Sequence, residues 1–424
     1  MSKQKFQTPK GMHDIFGEEW KYYKKIFDTV ESFANFYSFR RIETPILEEA
    51  ELFTKGIGLA TDVVKKEMFI FKTKGGDNLA LRPEGTAPVM RAYIQNGMQT
   101  LSQPVKLWYF SQFFRYEHPQ AGRFRQFWQF GFEILGEKSP ALDAQNILIF
   151  YKILQELGFE QTSLKLNSIG DNFCRPYYKK ALVSYLKHKA DALCLDCKRR
   201  LKENPLRVLD CKEEKDRQII SQAPQMLNYL CDGCKNHLKS VLEFLDELQL
   251  PYNLDPYLVR GLDYYTKTVF EVFEESEEGK IIGALAGGGR YDNLGKILGG
   301  GDIPGVGGAG GVERIVELMK KKQIKFQREK KPKIFLVQIG ELARKKSLKL
   351  LEEFRKENIP IYEAIGKDSL KSQMKLADKF AVKYVLIFGQ QEALNDEILL
   401  RDMEIGKQKK LKLKNLIKEV KKIL

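Results

Sequence analysis

Residues 105–136 constrain the fold of this 424-residue chain more than any other segment. They read as two strands joined by a loop, and side chains along a strand point alternately to its two faces. One face of the second strand is apolar and carries Phe124, Trp128, Phe130, Phe132 and Ile134, with Gln126 as the exception. The other face is mixed and carries Arg125, Phe127, Gln129, Gly131 and Glu133. The apolar face predicts a core beneath the hairpin.

The mixed face predicts a site for a polar, phosphorylated ligand. Arg115 ends the first strand and Arg123 lies in the loop, where both approach this face. A carboxylate, an amide, arginines and an aromatic ring then converge on one sheet surface. The alternative is an amphipathic hairpin whose mixed face is only solvated. The loop at 116–123 favours a site, because a plain turn needs only about two to five residues.

The net charge indicates a polyanionic partner. The chain carries 71 lysines and arginines against 56 acidic residues, a formal net charge of +15, and such an excess attracts nucleic acid or acidic membrane. The basic residues concentrate in 320–333, with eight basic and one acidic, and in 401–424, with nine basic and three acidic. The alternatives are a lysine-rich proteome and, for 401–424, a solvated helix face.

The length predicts two or three domains. The sequence has no run of about twenty apolar residues that could span a bilayer, and its N-terminus lacks the apolar core of a signal peptide. We therefore expect no membrane partner and a cytoplasmic location.

Six cysteines suit a reducing compartment, in which thiols stay free or bind metal. Cys194 and Cys197 form one C-x-x-C pair, and Cys231 and Cys234 form a second, with 33 residues between the pairs. Each pair has the spacing of half a zinc ribbon, although the gap is long and contains Cys211. The four paired cysteines are candidates for a structural zinc site. The alternative is a small insertion with ordinary thiols.

Apolar periodicity predicts the elements that precede the glycine-rich region. Residues that recur three and four apart predict helices at 18–39, from about 88, and at 141–158. Alternation and turn residues predict short strands at 41–47, 68–82, 257–260 and 268–273. Residues 172–250 read as a helical insertion. This part of the chain is therefore α+β with an antiparallel sheet.

The basic stretch at 320–333 reads as a linker, and the pattern changes after it. Short apolar strands alternate with two amphipathic helices as βαβαβ, which predicts a small α/β domain with a largely parallel sheet. We expect one domain at 1–325, with an insertion at about 172–250, and a second at 326–424.

A glycine-dense tract between residues 286 and 313 fits neither the phosphate-loop pattern nor the dinucleotide-binding pattern. Arg290 and Arg314 each follow a glycine run, where backbone can approach a ligand and a guanidinium can clamp phosphate. Tight turns alone would also explain the glycines. The segment V-R-G-L-D-Y-Y-T at 259–266 sets an arginine before two tyrosines. The alternative for these tyrosines is a core or interface pair.

Together these segments resemble the class II aminoacyl-tRNA synthetases over nearly the whole chain. The resemblance to the first, second and third class motifs rests on the helix, strand and proline at 18–45, on F-R at 114–115 with R-F-R-Q-F at 123–127, and on G-G-V-E-R ending at Arg314. Three more selective segments resemble the signatures of histidyl-tRNA synthetases: L-R-P-E-G-T at 81–86, R-G-L-D-Y-Y-T at 260–266 and G-G-G-R-Y-D at 287–292.

The resemblance implies a role for each position that matches a motif. The residues that would bind histidine are Glu84, Gly85, Thr86, Arg115, Gln129, Glu133, Arg260, Tyr264 and Tyr265. Within that set, Glu133 and Tyr265 would contact the imidazole. The residues that would bind ATP are Arg115, Arg123, Phe127 and Arg314. Arg115 and Arg260 would be catalytic, because both would contact the α-phosphate.

The implied fold is a class II catalytic domain built on an antiparallel sheet with flanking helices, a helical insertion, and a C-terminal α/β anticodon-binding domain. The implied activity is that of a histidine–tRNA ligase. L-histidine and ATP, with magnesium, would give histidyl-adenylate and pyrophosphate, and histidine would then pass to the 3′ end of tRNA(His). A homodimer is also implied, through the first helix and Pro45, although that helix could equally be intramolecular core.

Two other functions stay open. The first is a non-catalytic regulatory paralogue of ATP phosphoribosyltransferase in histidine biosynthesis, and the second is an RNA-sensing module with an inactive synthetase fold. The regulatory class usually lacks the C-terminal domain and loses the arginines that clamp ATP. This chain has residues 330–424 and keeps Arg115, Arg123, Arg260 and Arg314, which favours the ligase.

Overall fold

The computed structural model describes residues 6–59, 61–117, 122–275, 281–324, 326 and 331–424. The chain divides into two compact units, Met1–Lys325 and Phe326–Leu424. The predicted loop at 116–123 falls partly outside the described residues, at 118–121, and so does much of the predicted linker, at 325 and 327–330.

The first unit mixes strands and helices along the chain. Its strands are β1 (Arg40–Arg41), β2 (Leu47–Glu49), β3 (Ile70–Lys72), β4 (Asn78–Leu81), β5 (Val105–Phe114), β6 (Gln126–Leu135), β7 (Thr162–Ser168), β8 (Asn253–Leu254), β9 (Thr266–Glu275), β10 (Ile281–Arg290) and β11 (Gly305–Gly311). Its α-helices are α1 (Glu18–Phe36), α2 (Ala50–Ile57), α3 (Thr86–Gln95), α4 (Pro140–Glu156), α5 (Arg175–Lys187), α6 (Leu195–Glu203), α7 (Glu214–Ile220), α8 (Asp232–Glu247), α9 (Leu294–Ile297) and α10 (Val312–Lys321).

Eight of these strands form one sheet in the order β1-β5-β6-β11-β10-β9-β7-β8. Neighbouring strands are antiparallel except for the edge pairs β1–β5 and β7–β8, which are parallel. Strands β2, β4 and β3 form a separate antiparallel sheet. The predicted α+β class with an antiparallel sheet is confirmed.

Strands β5 and β6 form the predicted hairpin, in continuous register along both strands. The apolar face of β6 is covered by α4, whose Phe150 packs against Phe130 and Phe132 with ring centroids 5.7 Å apart in each pair. All three rings are fully buried, and burial of each stabilises the fold by about 1.5–3 kcal/mol. This face anchors the hairpin and leaves the mixed face of β6 for a site.

The strand predicted at 257–260 is wrong. The Asp255 carboxylate accepts a hydrogen bond from the backbone N–H of Tyr257 at 3.1 Å, and the Asp255 carbonyl accepts one from Leu258 at 3.0 Å. These local bonds close a turn and replace a sheet ladder.

The glycine tract forms two long strands as well as turns. Strands β10 and β11 pair antiparallel from Ala286 opposite Gly310 to Arg290 opposite Val306. A Cβ atom on Gly288 would lie 2.1 Å from the carbonyl oxygen of Gly307, so only glycine permits this approach of the two backbones.

The helical character predicted for residues 172–250 is confirmed. Every residue of this range is described, and the range contains α5 to α8 and short 3₁₀ segments without a strand.

The second unit has its own sheet and core. Its elements are β12 (Ile334–Gln338), α11 (Glu341–Lys356), β13 (Tyr362–Glu363), α12 (Leu370–Lys379), β14 (Tyr384–Phe388), α13 (Gln390–Leu394), β15 (Glu397–Asp402), β16 (Gln408–Lys412) and α14 (Leu413–Ile423). The sheet order is β13-β12-β14-β15-β16. The first three strands are parallel, as the βαβαβ pattern predicts, and β15 and β16 are antiparallel. Among the described helices of both units, none has the length and apolarity needed to cross a membrane.

Candidate functional site

The mixed face of β6 borders a strip of sheet with almost no side chains. Cross-strand partners point to the same face, and the partners of Gln129, Gly131 and Glu133 on β11 are glycine or alanine. The next partners, on β10, are glycines as well. We call this strip the glycine floor, and it consists of Gly287, Gly289, Gly307, Ala309 and Gly311. Side chains of Glu133 and Arg260 lie over Gly307 and Gly287, whereas no described atom lies within 4 Å of a Cβ placed on Gly311.

Glu133 is fully buried at one end of this face. The Thr86 hydroxyl donates a hydrogen bond to Glu133 Oε1 at 2.8 Å, and the Tyr291 hydroxyl donates one to Oε2. Burial raises the pKa of Glu133 to about 8, although both hydrogen bonds oppose the rise. Such a carboxyl can donate or accept a hydrogen bond near neutral pH. It is therefore suited to a ring such as imidazole, which changes charge in the same range.

Glu84 caps the N-terminus of α3. Its carboxylate accepts hydrogen bonds from the backbone N–H groups of Thr86 at 2.7 Å and Ala87 at 2.9 Å, and from the Tyr264 hydroxyl at 3.2 Å. Burial raises the pKa of Glu84, and these hydrogen bonds lower it. Because Thr86 contacts both acids, Glu84, Thr86, Glu133 and Tyr264 form one connected group, which we call the acid network.

Tyr109 belongs beside the acid network, although it was not among the predicted site residues. Tyr109 is buried on β5 opposite Gly131 and donates a hydrogen bond to Glu133. A Cβ atom on Gly131 would lie 2.2 Å from Tyr109 Cζ, and one on Gly85 would lie 2.4 Å from the same atom. The two glycines therefore leave the space that the tyrosine ring fills. A tyrosine opposite a glycine across the predicted hairpin was the signal for this contact.

We predict that Gly131→Ala destabilises the protein by about 1–3 kcal/mol, the usual cost of overpacking a filled core. The added methyl group must displace the Tyr109 ring. Gly311→Ala is the matched control on the same sheet face, because a Cβ there meets no described atom within 4 Å. Denaturant midpoints for the two variants check the prediction, and equal midpoints would contradict the packing described here.

Arg260 lies over the glycine floor beside the acid network. A Cβ on Gly287 would lie 2.8 Å from Arg260 Nη1, and that guanidinium is ion-paired with Glu271 on β9. The Arg260 guanidinium carbon is 5.9 Å from the ring centroid of Tyr265, whose ring is 4.7 Å from that of Tyr264. Arg260 Nε is buried and has no hydrogen-bond partner among the described residues. This donor is available to an anionic ligand on the floor.

A second group of arginines gathers at the loop end of the hairpin. Arg115 Nε donates to the Pro83 carbonyl at 2.9 Å, and its guanidinium carbon lies 5.4 Å from the centroid of the half-buried Phe127 ring. Glu117 lies between Arg115 and Arg123, with ion-pair distances of 3.8 Å and 3.3 Å respectively. Glu117 was missed as a site residue, although an acid between two arginines of a hairpin loop was visible in the sequence.

Arg314, at the start of α10, completes this end of the site. Its guanidinium donates to the Ala284 carbonyl at 2.5 Å. Burial and the nearby positive charge of Arg123 lower the pKa of Arg314, while Glu117 and Glu271 raise it. Arg314 therefore lies close enough to be influenced by the charges of Arg123 and Glu117, and by that of Glu271, the partner of Arg260. A polyphosphate would relieve the repulsion between the two arginines.

Arg290, which follows a glycine run and was a candidate phosphate clamp, has a different role. It is fully buried, and its guanidinium pairs with Asp143 and with Asp292. His237 Nε2 lies 3.2 Å from Oδ1 of Asp143, which also accepts a hydrogen bond from Arg290 Nε at 3.2 Å. Arg290 therefore joins α4, β10 and α8 inside the fold and is satisfied there.

The structure does not bring the four predicted zinc candidates into one group. Instead, each C-x-x-C pair lies with a third cysteine and an aspartate. The first cysteine cluster contains Asp171, Cys174, Cys231 and Cys234. The second cysteine cluster contains Cys194, Cys197, Cys211 and Asp216. The prediction of a single four-cysteine site is wrong, because spacing along the chain does not report which pairs meet in space.

Comparison with known proteins agrees with this geometry. Residues 11–315 match the family described as Histidyl-tRNA synthetase, and residues 333–423 match the family described as Anticodon binding domain.

Individual relatives match over the full length. A protein of Acetivibrio thermocellus is 42% identical over 98% of this chain and 99% of its own length, and one of Halothermothrix orenii is 43% identical over 99% of each. Both are named histidine–tRNA ligase. A crystal structure described as apo S. aureus histidyl-tRNA synthetase superposes with a TM-score of 0.79 at 34% identity, covering 98% of this chain and 99% of that chain. These relatives favour the ligase over the regulatory paralogue. The chain is an aminoacyl-tRNA synthetase and belongs to the histidyl-tRNA synthetase family.

Proposed function

We propose that this ligase joins L-histidine to ATP on the glycine floor, forming histidyl-adenylate and pyrophosphate, and then transfers histidine to tRNA(His). The observation that carries the proposal is the placement of the acid network beside Arg260 and Arg115 on one sheet face. The network presents carboxylates to a cationic amino acid, and the arginines present cations to a triphosphate.

The histidine would lie with its imidazole toward Glu133 and Tyr265, with Tyr264 alongside. Its α-amino group would lie toward Glu84, Thr86 and Gln129. Gln129 and Glu133 are four residues apart on β6, about 13 Å at ~3.3 Å per residue, so side chains reaching inward can hold opposite ends of one histidine. Gly85 contributes backbone, because a side chain there would meet Tyr109.

The ATP would lie with its α-phosphate between Arg115 and Arg260. Phe127 would stack on the adenine, and Arg123 and Arg314 would hold the outer phosphates. A histidine carboxylate oxygen attacks the α-phosphorus, and the bond from that phosphorus to the pyrophosphate oxygen breaks. The carboxylate is already ionised, so this step needs no protein base. The arginines stabilise the negative charge that builds on the α-phosphate oxygens.

Magnesium would accompany ATP in this reaction. The carboxylates of Glu117 and Glu271 face the same region and are hard oxygen donors of the kind magnesium accepts, but each is paired with an arginine. We infer that the ion is held mainly by the phosphates and water. Its chemical role would be to neutralise charge on the leaving pyrophosphate.

ATP–pyrophosphate exchange across the twenty amino acids tests the proposed activity. We expect stimulation by histidine, because a pocket of buried acids and hydroxyls rejects a side chain that leaves them unpaired. Stimulation by another amino acid, or by none, would contradict the proposal.

We propose that residues 326–424 bind the anticodon region of the tRNA. Strand β16 is an edge strand that exposes Lys409, Lys410 and Lys412, and lysines near phosphates give salt-dependent affinity.

Deletion of residues 326–424 should therefore reduce aminoacylation of tRNA more than pyrophosphate exchange. Each unit has a hydrophobic core of its own, so the remaining unit keeps the acid network and the arginines. Parallel assays of exchange and charging check this expectation. Equal loss in both assays would count against the assignment.

A homodimer and a cytoplasmic location complete the proposal. The inner face of α1 is buried within the first unit, so this helix serves as core. The three-stranded sheet, in contrast, exposes apolar side chains at 45–52% on Leu47, Ile70, Phe71 and the adjacent Ile46. A second copy of the chain would cover this surface.

Sedimentation of the wild type and of Phe71→Glu tests the dimer, and a monomeric wild type would refute it. Cell fractionation tests the cytoplasmic location.

A further inference from the structure

The two cysteine clusters lie outside the proposed catalytic site. Within each cluster, one possible ligand atom from each of the four residues lies within 4.8 Å of every other. Four ligands around a tetrahedral zinc ion with Zn–S bonds of about 2.3 Å would be about 3.8 Å apart. The Sγ atoms of Cys174 and Cys234 are 3.6 Å apart, and those of Cys194 and Cys211 are 3.9 Å apart. The sulfur spacing thus matches the edge of a zinc tetrahedron.

We propose that this chain binds two structural zinc ions, each through three cysteine thiolates and one aspartate. The donor set supports zinc, since soft thiolates in a tetrahedral arrangement favour zinc over magnesium or calcium. The sulfur–sulfur distances are far from the ~2.05 Å of a disulfide, and all six cysteines are free.

Both clusters use the same local geometry. Cys194 precedes α6 and Cys231 precedes α8, and in each pair the second cysteine lies in the first turn of the helix. The Cys194 sulfur accepts a hydrogen bond from the Cys197 N–H at 3.4 Å. Likewise, Cys174 Sγ accepts one from the Asp171 N–H at 3.3 Å. Such outer hydrogen bonds orient the thiolates of a metal site.

The helices of the insertion are short enough to need a cross-link between them. Helices α6 and α7 have only nine and seven residues, and isolated helices shorter than about 12–15 residues are marginal in water. The second cysteine cluster joins α6, the 3₁₀ segment that ends before Cys211, and α7. The first cysteine cluster joins the start of α5 to the start of α8. A metal ion at each cluster would stabilise these junctions directly.

The two clusters also adjoin the segment that carries Arg260. Arg207, in the 3₁₀ segment, donates to the Arg260 carbonyl at 3.2 Å. Arg175, next to Cys174, donates to the Tyr265 carbonyl. The zinc ions would therefore stabilise the segments of Arg207 and Arg175, which position the histidine pocket, without contacting the substrates.

Metal analysis of the full-length protein, purified without chelators, tests the proposal. We expect two equivalents of zinc per chain in the wild type. Cys174→Ser and Cys211→Ser should each lose one equivalent, and the double variant should lose both. Asp232→Asn is the matched control, because Asp232 lies inside the Cys231–Cys234 pair, is exposed, and belongs to neither cluster; it should keep two equivalents.

The outcomes separate the alternatives. One equivalent that survives both Cys174→Ser and Cys211→Ser would indicate a single site of the two C-x-x-C pairs and overturn the proposal. No metal, with six titratable thiols or with disulfides on a non-reducing gel, would also overturn it. If serine variants fail to fold, titration of the wild type with a mercurial thiol reagent still decides, because zinc release should reach two equivalents per chain. None of these readouts depends on ligase activity.

Discussion

Replacing Arg260 with histidine should lower histidine-dependent ATP–pyrophosphate exchange by about 10²- to 10³-fold, the usual cost of losing one preorganised donor to a developing negative charge. The physical reason is the position of the guanidinium over Gly287, with a buried Nε that no described residue satisfies. The fold should persist, because the Arg260 guanidinium is partly exposed and pairs with another partly exposed side chain, Glu271.

Arg91→His provides a matched control for this experiment. Arg91 is also a partly exposed arginine in an ion pair, and its partner, Glu48 on β2, does not belong to the acid network. Its variant should keep near-normal exchange. If Arg260→His also keeps near-normal exchange while both variants show wild-type circular dichroism, Arg260 has no role at the α-phosphate.

Replacing Glu133 with glutamine should lower kcat/KM for histidine by about 10²- to 10⁴-fold, since a site built on buried hydrogen-bonding groups loses much of its affinity when one is mismatched. Glu133 receives hydrogen bonds from Thr86 and Tyr291 and has no exposed surface. Glutamine keeps the size, but its amide nitrogen cannot accept a hydrogen bond, so one of the hydroxyl donors of Thr86 and Tyr291 loses its acceptor. Pyrophosphate exchange at varied histidine concentration measures the effect, which should fall mainly on the KM for histidine.

Glu313→Gln is the control that distinguishes the loss of a group in the histidine pocket from the loss of a buried acid elsewhere in the protein. Burial raises the pKa of Glu313 to about 8, as it does for Glu133, but Glu313 accepts hydrogen bonds from the Trp128 N–H and the Tyr23 hydroxyl on the other side of β6. Its variant should leave the KM for histidine near the wild-type value. Equal increases in both variants would place Glu133 outside the histidine pocket.

The raised pKa of Glu133 also gives a dependence of stability on pH. The folded protein keeps this proton up to a pKa of about 8, whereas the unfolded chain loses it near 4.5. The folded state therefore binds more protons between these values, and the free energy of unfolding falls as the pH rises through the window. Glu133→Gln should flatten this decline in denaturant titrations from pH 5 to pH 8. An unchanged slope would contradict the pKa assignment.

The hairpin shows how far alternation along a strand can carry a prediction. Because side chains repeat with period two, the positions of Phe130 and Glu133 on opposite faces followed from the sequence. The contact between Tyr109 and Glu133 depends on the register of β5 against β6, which alternation alone does not give. Thr86 and Glu84 were found only by resemblance, since nothing local in L-R-P-E-G-T indicates which strand it faces.

Two further failures have the same origin. Glycines at 287–289 and 305–311 were compatible with tight turns alone, because strand propensity cannot register that a neighbouring backbone needs the space. The two C-x-x-C pairs have matching spacings, but their partners Cys174 and Cys211 come from segments that meet them only in the fold. In each case a nonlocal contact decides the structure, and a single sequence does not encode that contact in any local pattern.

At its Gly311 end the glycine floor leaves the free protein with an incomplete layer, whereas Glu133 and Arg260 already cover Gly307 and Gly287. On the far side of the same strands, Gly308 and Gly310 are packed under Phe150 and Phe130, so that surface is closed. On the near side a Cβ at Gly311 would meet nothing. Under the proposed function, the substrates themselves become the missing layer of packing. Substrate binding then resembles the last step of core formation. Because a ligand that binds only the folded state stabilises it by mass action, the gain in the free energy of unfolding reports how much of the enzyme has substrate bound.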